Sequence, residues 1–273
     1  MSIFCCPVCG RALTKQEHAL RCENGHSFDL ARKGYVNLLR SNQSHNKRHG
    51  DDRAMVAART AFLDAGYYSP LCRAIAKAAA VTEQNGPVVL DAGCGEGYYT
   101  AAVHEALKAA GKSPVICGVD ISREALIAAH RRDPALQLAV ASLADLPLAD
   151  GCCDVILHVF APLETAEFRR VLRPGGRLIR AVPLEDHLWS LKCAVYDRPY
   201  RNPPPDTTLP GFRLVDRQDL ISEITLPSQS DIHALFMMTP YYYKTSRTDQ
   251  EKLAGLSELK TETAFGLLIY ETE

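Results

Sequence analysis

An α/β fold is predicted for this chain: a doubly wound, mostly parallel sheet preceded by a small cysteine-rich module. Three observations predict it. From residue 87 onward, apolar runs alternate with helical stretches, the pattern of repeated β-α units. The segment VVLDAGCGEGYYT (88–100) joins an apolar run to a helix through three closely spaced glycines. Upstream, cysteines and a histidine fall into two short knuckles within the first 26 residues.

Taken in order, residues 4–28 read as short strands and knuckles, and residues 29–50 show little periodicity. The latter end in SNQSHNKRHG, a polar, basic linker candidate. A helix is predicted from about Asp51 to Gly66. Ser69-Pro70 opens a second helix, with serine at the N-cap and proline at the first helical position. Val88, Val89 and Leu90 form a buried strand, followed by a helix from Tyr98 to about Ala110. Strand 115–119 leads into a helix capped by Ser122, and strands 136–140 and 153–160 follow. A helix from about Leu163 to Leu172, a turn at Arg173-Pro174-Gly175-Gly176 and a strand over 177–182 come next. Residues 200–210 (YRNPPPDTTLP) are a proline-rich surface loop. A helix near 229–238 and a strand near 264–271 close the chain. The expected divisions are 1–40 for the module, 41–85 for a linker and helical segment, and 86–273 for the sheet domain.

The hydrophobic content, 47%, is enough for one large core. The net charge of −1 hides an asymmetry: residues 1–50 hold eight Lys/Arg against three Asp/Glu, a balance of +5 that leaves −6 for the rest. A basic module suits a phosphate-rich partner, and it equally suits a solvated charged face. No apolar run approaches the ~18–20 residues of a membrane span, so no membrane partner is expected. The N-terminus lacks the parts of a signal peptide. Ten cysteines, several inside apolar runs, fit buried or metal-bound thiols in a reducing compartment, and a cytoplasmic location is expected.

Cys6-Pro-Val-Cys9 and Cys22-Glu-Asn-Gly-His26 form the pattern C-x2-C-x12-C-x3-H. Two close pairs of such ligands suit a tetrahedral zinc ion, closed to substrate and therefore structural. Clipping two knuckles through a metal folds a module too small to build a core of its own. Cys5 competes with Cys6, but only Cys6 has the two-residue spacing to Cys9; His18 lies outside the second knuckle.

The glycine turn follows the pattern D-x-G-x-G-x-G through Asp91, Gly93, Gly95 and Gly97. It resembles the first motif of S-adenosylmethionine-dependent methyltransferases. It departs from the dinucleotide fingerprint because Tyr98 stands where that pattern needs its last glycine. Backbone N–H groups at the following helix N-terminus are placed to meet a carboxylate of the cofactor. Asp120, ending the second strand, is a candidate acceptor for both ribose hydroxyls, with helix capping as its plain alternative. Ala141, Ser142 and Leu143 follow the third strand on the adenine side; Asp145 there is either an adenine contact or a solvated acid. Glu96 faces either the amino-acid end of the cofactor or solvent.

Joined together, the knuckles, FDLARKGYVNLL (28–39), GDDRAMVAARTAFLDAGYYSPL (50–71) and LDAGCGEGYYT closely resemble bacterial 23S rRNA guanine-N1 methyltransferases. DVILHVFAPL (154–163), LRPGGRLI (172–179) and EDHLWSLK (185–192) extend the likeness, which is weakest over 200–273. The resemblance implies a Rossmann-like methyltransferase sheet and methylation of N1 of a guanine in a 23S rRNA hairpin. It implies zinc on Cys6, Cys9, Cys22 and His26, and cofactor contacts at Tyr68, at the Gly95-Glu96 turn and at His187. It also implies a homodimer, for which no interface is legible.

A guanine N1 must lose its proton, so a base or an anion-stabilising donor is expected. The catalytic group is not identified by sequence; His158, Glu164, Glu185 and Asp186 ring the expected cofactor site. The target base must be unstacked, and Tyr241-Tyr242-Tyr243 is a stacking candidate, with core packing at a helix end as the plainer alternative. Two alternatives compete: a methyltransferase acting on a small molecule, and a non-catalytic zinc-containing RNA-binding protein. The first leaves the basic N-terminus unexplained; the second leaves the glycine turn and Asp120 unexplained.

Overall fold

The computed structural model describes residues 2–40 and 50–273. Most of the basic stretch read above as a linker, including Lys47 and Arg48, lies outside the described residues. The N-terminal module holds a three-stranded antiparallel sheet of β1 (Thr14–Gln16), β2 (Ala19–Arg21) and β3 (Ser27–Asp29). The next strand, β4 (Tyr35–Asn37), does something the sequence reading missed. It runs parallel to β7 (Gln137–Val140), with Val36 opposite Ala139, and becomes the edge of the main sheet. The tract 29–50 therefore contains a strand, too short at three residues to show a period.

The main sheet has eight strands in the order β10-β11-β9-β8-β5-β6-β7-β4. Its centre is β5 (Val88–Ala92), flanked by β6 (Val115–Asp120) and β8 (Cys153–Val159). β9 (Leu172–Pro183) lies outside β8 and is parallel to it. β11 (Leu259–Thr272) runs antiparallel to β9, and β10 (Phe212–Leu226) antiparallel to β11. Strand order reverses at β5, so the crevice outside the carboxyl ends of β5, β6 and β8 is where such a sheet binds ligands.

Consecutive residues of the central strands feed opposite faces. Val89, Leu157, Ile179 and Leu267 point to one core, and Leu90, Ile156, Leu178 and Leu268 to the other. Such strands are buried on both sides, which is why they read as continuous apolar runs. The first core is roofed by α1 (Arg53–Asp64), α2 (Ser69–Ala80) and α3 (Tyr98–Ala109), through Phe62, Ile75 and Leu107. The second core includes Phe4, Leu13 and Leu20 of the N-terminal module, so the module docks on the sheet rather than standing apart. Cys5 N–H adds a hydrogen bond to Pro147 O at 2.8 Å.

Helix starts follow local chemistry. Asp52 accepts from the N–H groups of Ala54 and Met55 at 2.9 and 3.0 Å and starts α1. Ser122 accepts from Ala125 N–H at 3.2 Å and starts α4 (Arg123–Arg132), as expected. Ser69 does not cap α2: it is the first helical residue, and Tyr68 occupies the N-cap without a side-chain bond. The remaining helices are α5 (Thr165–Val171), α6 (Trp189–Val195), α7 (Gln229–Met237), α8 (Tyr241–Lys244) and α9 (Arg247–Ala254). No helix among the described residues is long and apolar enough to cross a membrane.

Candidate functional site

Strand β5 ends at the turn Ala92–Gly97, and the three glycines there have different duties. A Cβ at Gly93 would lie 2.5 Å from the Ala161 Cβ, and one at Gly97 would lie 2.9 Å from the Ala129 Cβ. Those two positions are glycine because neighbouring chain segments press against them. A Cβ at Gly95 would find nothing nearer than Arg59 Nη1 at 3.6 Å. Gly95, at φ +54°, is thus the place where bare backbone faces open space, as a close-approaching ligand requires.

Two acids bracket this turn. Asp120, at the end of β6, accepts from Gly95 N–H at 2.9 Å through Oδ2 and from Ser122 N–H at 2.8 Å through Oδ1. Each oxygen keeps a further lone pair. Burial raises its carboxyl above the ordinary value, against the two N–H donors that lower it. Asp91 is buried under the turn, and its Oδ2 accepts from the Thr100 hydroxyl at 2.6 Å. Its Oδ1 has no hydrogen-bond partner among the described residues, and burial pushes its pKa up to about 7. A buried carboxylate oxygen is an acceptor suited to a cationic or N–H group.

Glu96 is turned away from the open side. Its Oε2 accepts from Tyr98 N–H at 3.1 Å, and its Oε1 faces Arg132 Nη2 at 3.6 Å. What residue 96 offers a ligand at this turn is backbone; its side chain braces the turn through Arg132, which also reaches Asp64 at 2.8 Å. Two residues that sequence reasoning passed over sit above the site. Arg59 of α1 pairs with Asp51, and the carbonyl of Asp51 accepts from the Ser122 hydroxyl at 2.7 Å. The segment entering α1 therefore lies across the ends of β5 and β6. An arginine on a helix gives no sequence signal for this.

Tyr68 and His187 are buried and lie against each other. Tyr68 Oη lies 3.5 Å from His187 Nε2, and His187 Nδ1 accepts from Ala264 N–H at 3.2 Å. That assignment leaves the ring proton on Nε2, aimed at the tyrosine oxygen. Burial, then Lys192, lowers the His187 pKa to about 3, so its ring stays neutral. Both rings pack on Phe265, at 4.8 and 4.5 Å between centroids. Leu143 Cδ1 lies 3.8 Å from the place of a Gly93 Cβ, and Asp145 is ion-paired with Arg40 at 3.2 Å. His158 bonds Pro162 O at 3.1 Å and is held neutral by burial, its pKa lowered to about 4. Asp186 pairs with Arg201, and Glu185 lends its carbonyl to Asn202 N–H at 3.0 Å. Glu164 precedes α5 without capping it through its side chain. Tyr241 and Tyr242 pack inward, against Tyr196 and Phe236.

In the N-terminal module, the ligand atoms of Cys6, Cys9, Cys22 and His26 all lie within 4.8 Å of one another. Cys9 and Cys22 sulfurs are 3.7 Å apart; His26 Nδ1 is 3.5 Å from Cys6 Sγ and 3.3 Å from Cys22 Sγ. A tetrahedron with Zn–S bonds of ~2.3 Å has edges of about 3.5–3.8 Å, so these spacings fit that ion. Cys5 and His18 are outside the cluster.

The sheet and the donor turn define a class, the S-adenosylmethionine-dependent methyltransferases, here carrying a zinc ribbon. The family described as methyltransferase domain matches residues 89–176, and the zinc-ribbon family described as RlmA, N-terminal, matches residues 4–47. A 23S rRNA (guanine(748)-N(1))-methyltransferase of Streptomyces fradiae is 43% identical over 193 residues, 70% of this chain and 66% of that protein. A Micromonospora griseorubida protein, named provisionally as a 23S rRNA (guanine-N(1)-)-methyltransferase, is 44% identical over 68% of this chain and 67% of its own length. A Bacillus subtilis (strain 168) protein with the same provisional name is 31% identical over 269 residues, 95% of this chain and 93% of that protein. The match thus spans about two thirds of the first two relatives and nearly all of the third. The chain belongs to the 23S rRNA (guanine-N1)-methyltransferase family.

Proposed function

We propose that this chain methylates N1 of one guanine in a 23S rRNA hairpin, with S-adenosylmethionine as donor. The observation that carries this reading is the near full-length match to the Bacillus subtilis relative, which takes in both the ribbon and the glycine turn. The ribbon of residues 1–40 lends β4 to the main sheet, residues 41–85 supply α1 and α2 with Arg59 and Tyr68, and residues 86–273 carry the glycine turn, Asp120 and His187.

When bound, the donor supplies an electrophilic methyl on a sulfonium. The chain's work is to hold it in line with the nucleophile. Asp120 would take the ribose hydroxyls on its spare lone pairs, and the open backbone at Gly95 would let the donor lie close, with Gly93 and Gly97 keeping the turn tight. The unpaired Oδ1 of Asp91 suits the donor's ammonium, and Arg59 suits its carboxylate by exchanging away from Asp51. Tyr68 and His187 close the side nearest Phe265. Guanine N1 would have to give up its proton to take the methyl group. His158 is a poor acceptor because burial lowers its pKa to about 4. Cys6, Cys9, Cys22 and His26 would hold a structural zinc that orders the ribbon, and the excess of Lys and Arg over acids in residues 1–50 suits the RNA backbone. The working form is a cytoplasmic homodimer.

Incubation with methyl-labelled donor tests the reading. Label should enter 23S rRNA and its isolated hairpin, and not transfer RNA. A protein that binds donor and labels none of them would overturn it.

A further inference from the structure

Phe160 is the first residue after β8, and its backbone is left-handed, with φ at +56°. For a bulky aromatic this is a strained conformation, retained only where the surroundings enforce it. Burial is not the compensation, because Phe160 is 47% exposed. Among the described residues, it is the one exposed large apolar side chain that stands at the carboxyl end of a parallel strand.

Its surroundings fix where the ring can be used. The adjacent Ala161 Cβ lies 2.5 Å from the place of a Gly93 Cβ, so this turn abuts the donor turn. His158 Nε2 and Pro162 O, 3.1 Å apart, lock the turn from below. The ring lies 5.5 Å from that of Phe265, which packs on both Tyr68 and His187. Strands β6 and β8 flank β5 on opposite sides. The ribose acid Asp120 is on the β6 side, so the donor's nucleoside is drawn that way and the β8 side is left for the acceptor.

We propose that Phe160 is the platform on which the target guanine stacks after leaving its helix, with N1 turned toward the donor methyl. This rests on the RNA-methylation reading above. An aromatic face offers a base sequence-tolerant stacking, and the unstacking cost of an extruded base is offset by it. The strained backbone keeps the ring at the mouth of the site without a base to hold it there.

Phe160→Gly and Phe160→Trp test this, with a 23S rRNA hairpin as substrate. Glycine suits the left-handed backbone, so the melting temperature should not fall and donor affinity should stay near wild type. Activity on the hairpin, as kcat/KM, should drop about 10- to 100-fold in Phe160→Gly and be largely kept in Phe160→Trp. Full RNA activity in Phe160→Gly would overturn the proposal. Loss of donor binding or of the fold in that variant would do so too, by making Phe160 structural. Failure of the underlying reading looks different: the wild-type protein itself would bind donor and leave the hairpin unmethylated.

Discussion

The backbone N–H of Gly95 donates to Asp120 Oδ2 at 2.9 Å, tying the turn after β5 to the end of β6. The bond shapes the proposed donor cleft from two strands at once. It also leaves the space above Gly95 open, with Arg59 Nη1 as the nearest atom a Cβ would meet. Replacing Gly95 by valine fills that space and imposes a β-branched side chain on a left-handed backbone. Donor affinity measured by calorimetry should fall at least about tenfold, equivalent to ~1.4 kcal/mol. RNA binding by the same variant should persist, because the ribbon lies elsewhere. Unchanged donor affinity would remove Gly95 from the site.

Arg59 gives an independent check. Charge-assisted hydrogen bonds contribute about 1.5–3 kcal/mol, so Arg59→Ala should weaken donor binding about 10- to 100-fold. Asp51→Ala should leave binding unchanged or tighter, because it removes the carboxylate that now holds Arg59. Donor affinity that falls in the Asp51 variant and survives in the Arg59 variant would reverse the assignment.

Metal content separates the cysteines. Wild-type protein should carry one zinc per chain; Cys9→Ser and Cys22→Ser should lose it, and Cys5→Ser should keep it. Atomic emission on purified variants reads this directly. Because ribbon residues Leu13 and Leu20 pack in the same core as Leu90 and Ile156, zinc loss should also lower the melting temperature of the whole chain. A Cys5 variant that loses the metal would contradict the ligand set.

Asp91 predicts a pH signature. Its carboxyl has an ordinary value of 3.8 and is raised to about 7 in the fold by burial. Between those values the folded state binds the extra proton. The favourable contribution is therefore complete below about pH 4 and lost as pH rises through 7. The stability advantage of Asp91→Asn over wild type, from urea unfolding, should grow from pH 4.5 to pH 7.5. An advantage that stays flat or shrinks would mean that Asp91 keeps its charge at no cost. Comparing the two proteins cancels the opposite slope expected from His187, whose pKa is lowered.

The central strands and the donor turn were legible in the sequence because both cores demand runs such as Val89-Leu90 and Ile156-Leu157, and tight turns demand glycine. The metal cluster was legible because ligand spacing is local. β10 was not, since an edge strand in water needs no apolar period: Arg213, Arg217, Asp219 and Glu223 line it, and charges on an edge guard against pairing with other chains. β4 was hidden by its brevity, and α6 and α9 by the short, mixed stretches they occupy. Arg59 and Phe160 could not be found because what marks them is spatial: a guanidinium 3.6 Å from where a Gly95 Cβ would stand, and a strained angle. Tyr68 and His187 came from family resemblance alone; taken singly they read as a core tyrosine and a surface histidine.

The most direct test of the account is the identity of the methylated nucleotide. Unmodified 23S rRNA treated with protein and donor would be digested and read by mass spectrometry, with primer extension to locate the block. The account predicts a single N1-methylguanine within one hairpin. Methyl groups on an exocyclic amine, at scattered guanines, or on no nucleotide at all while donor binding is intact would contradict it.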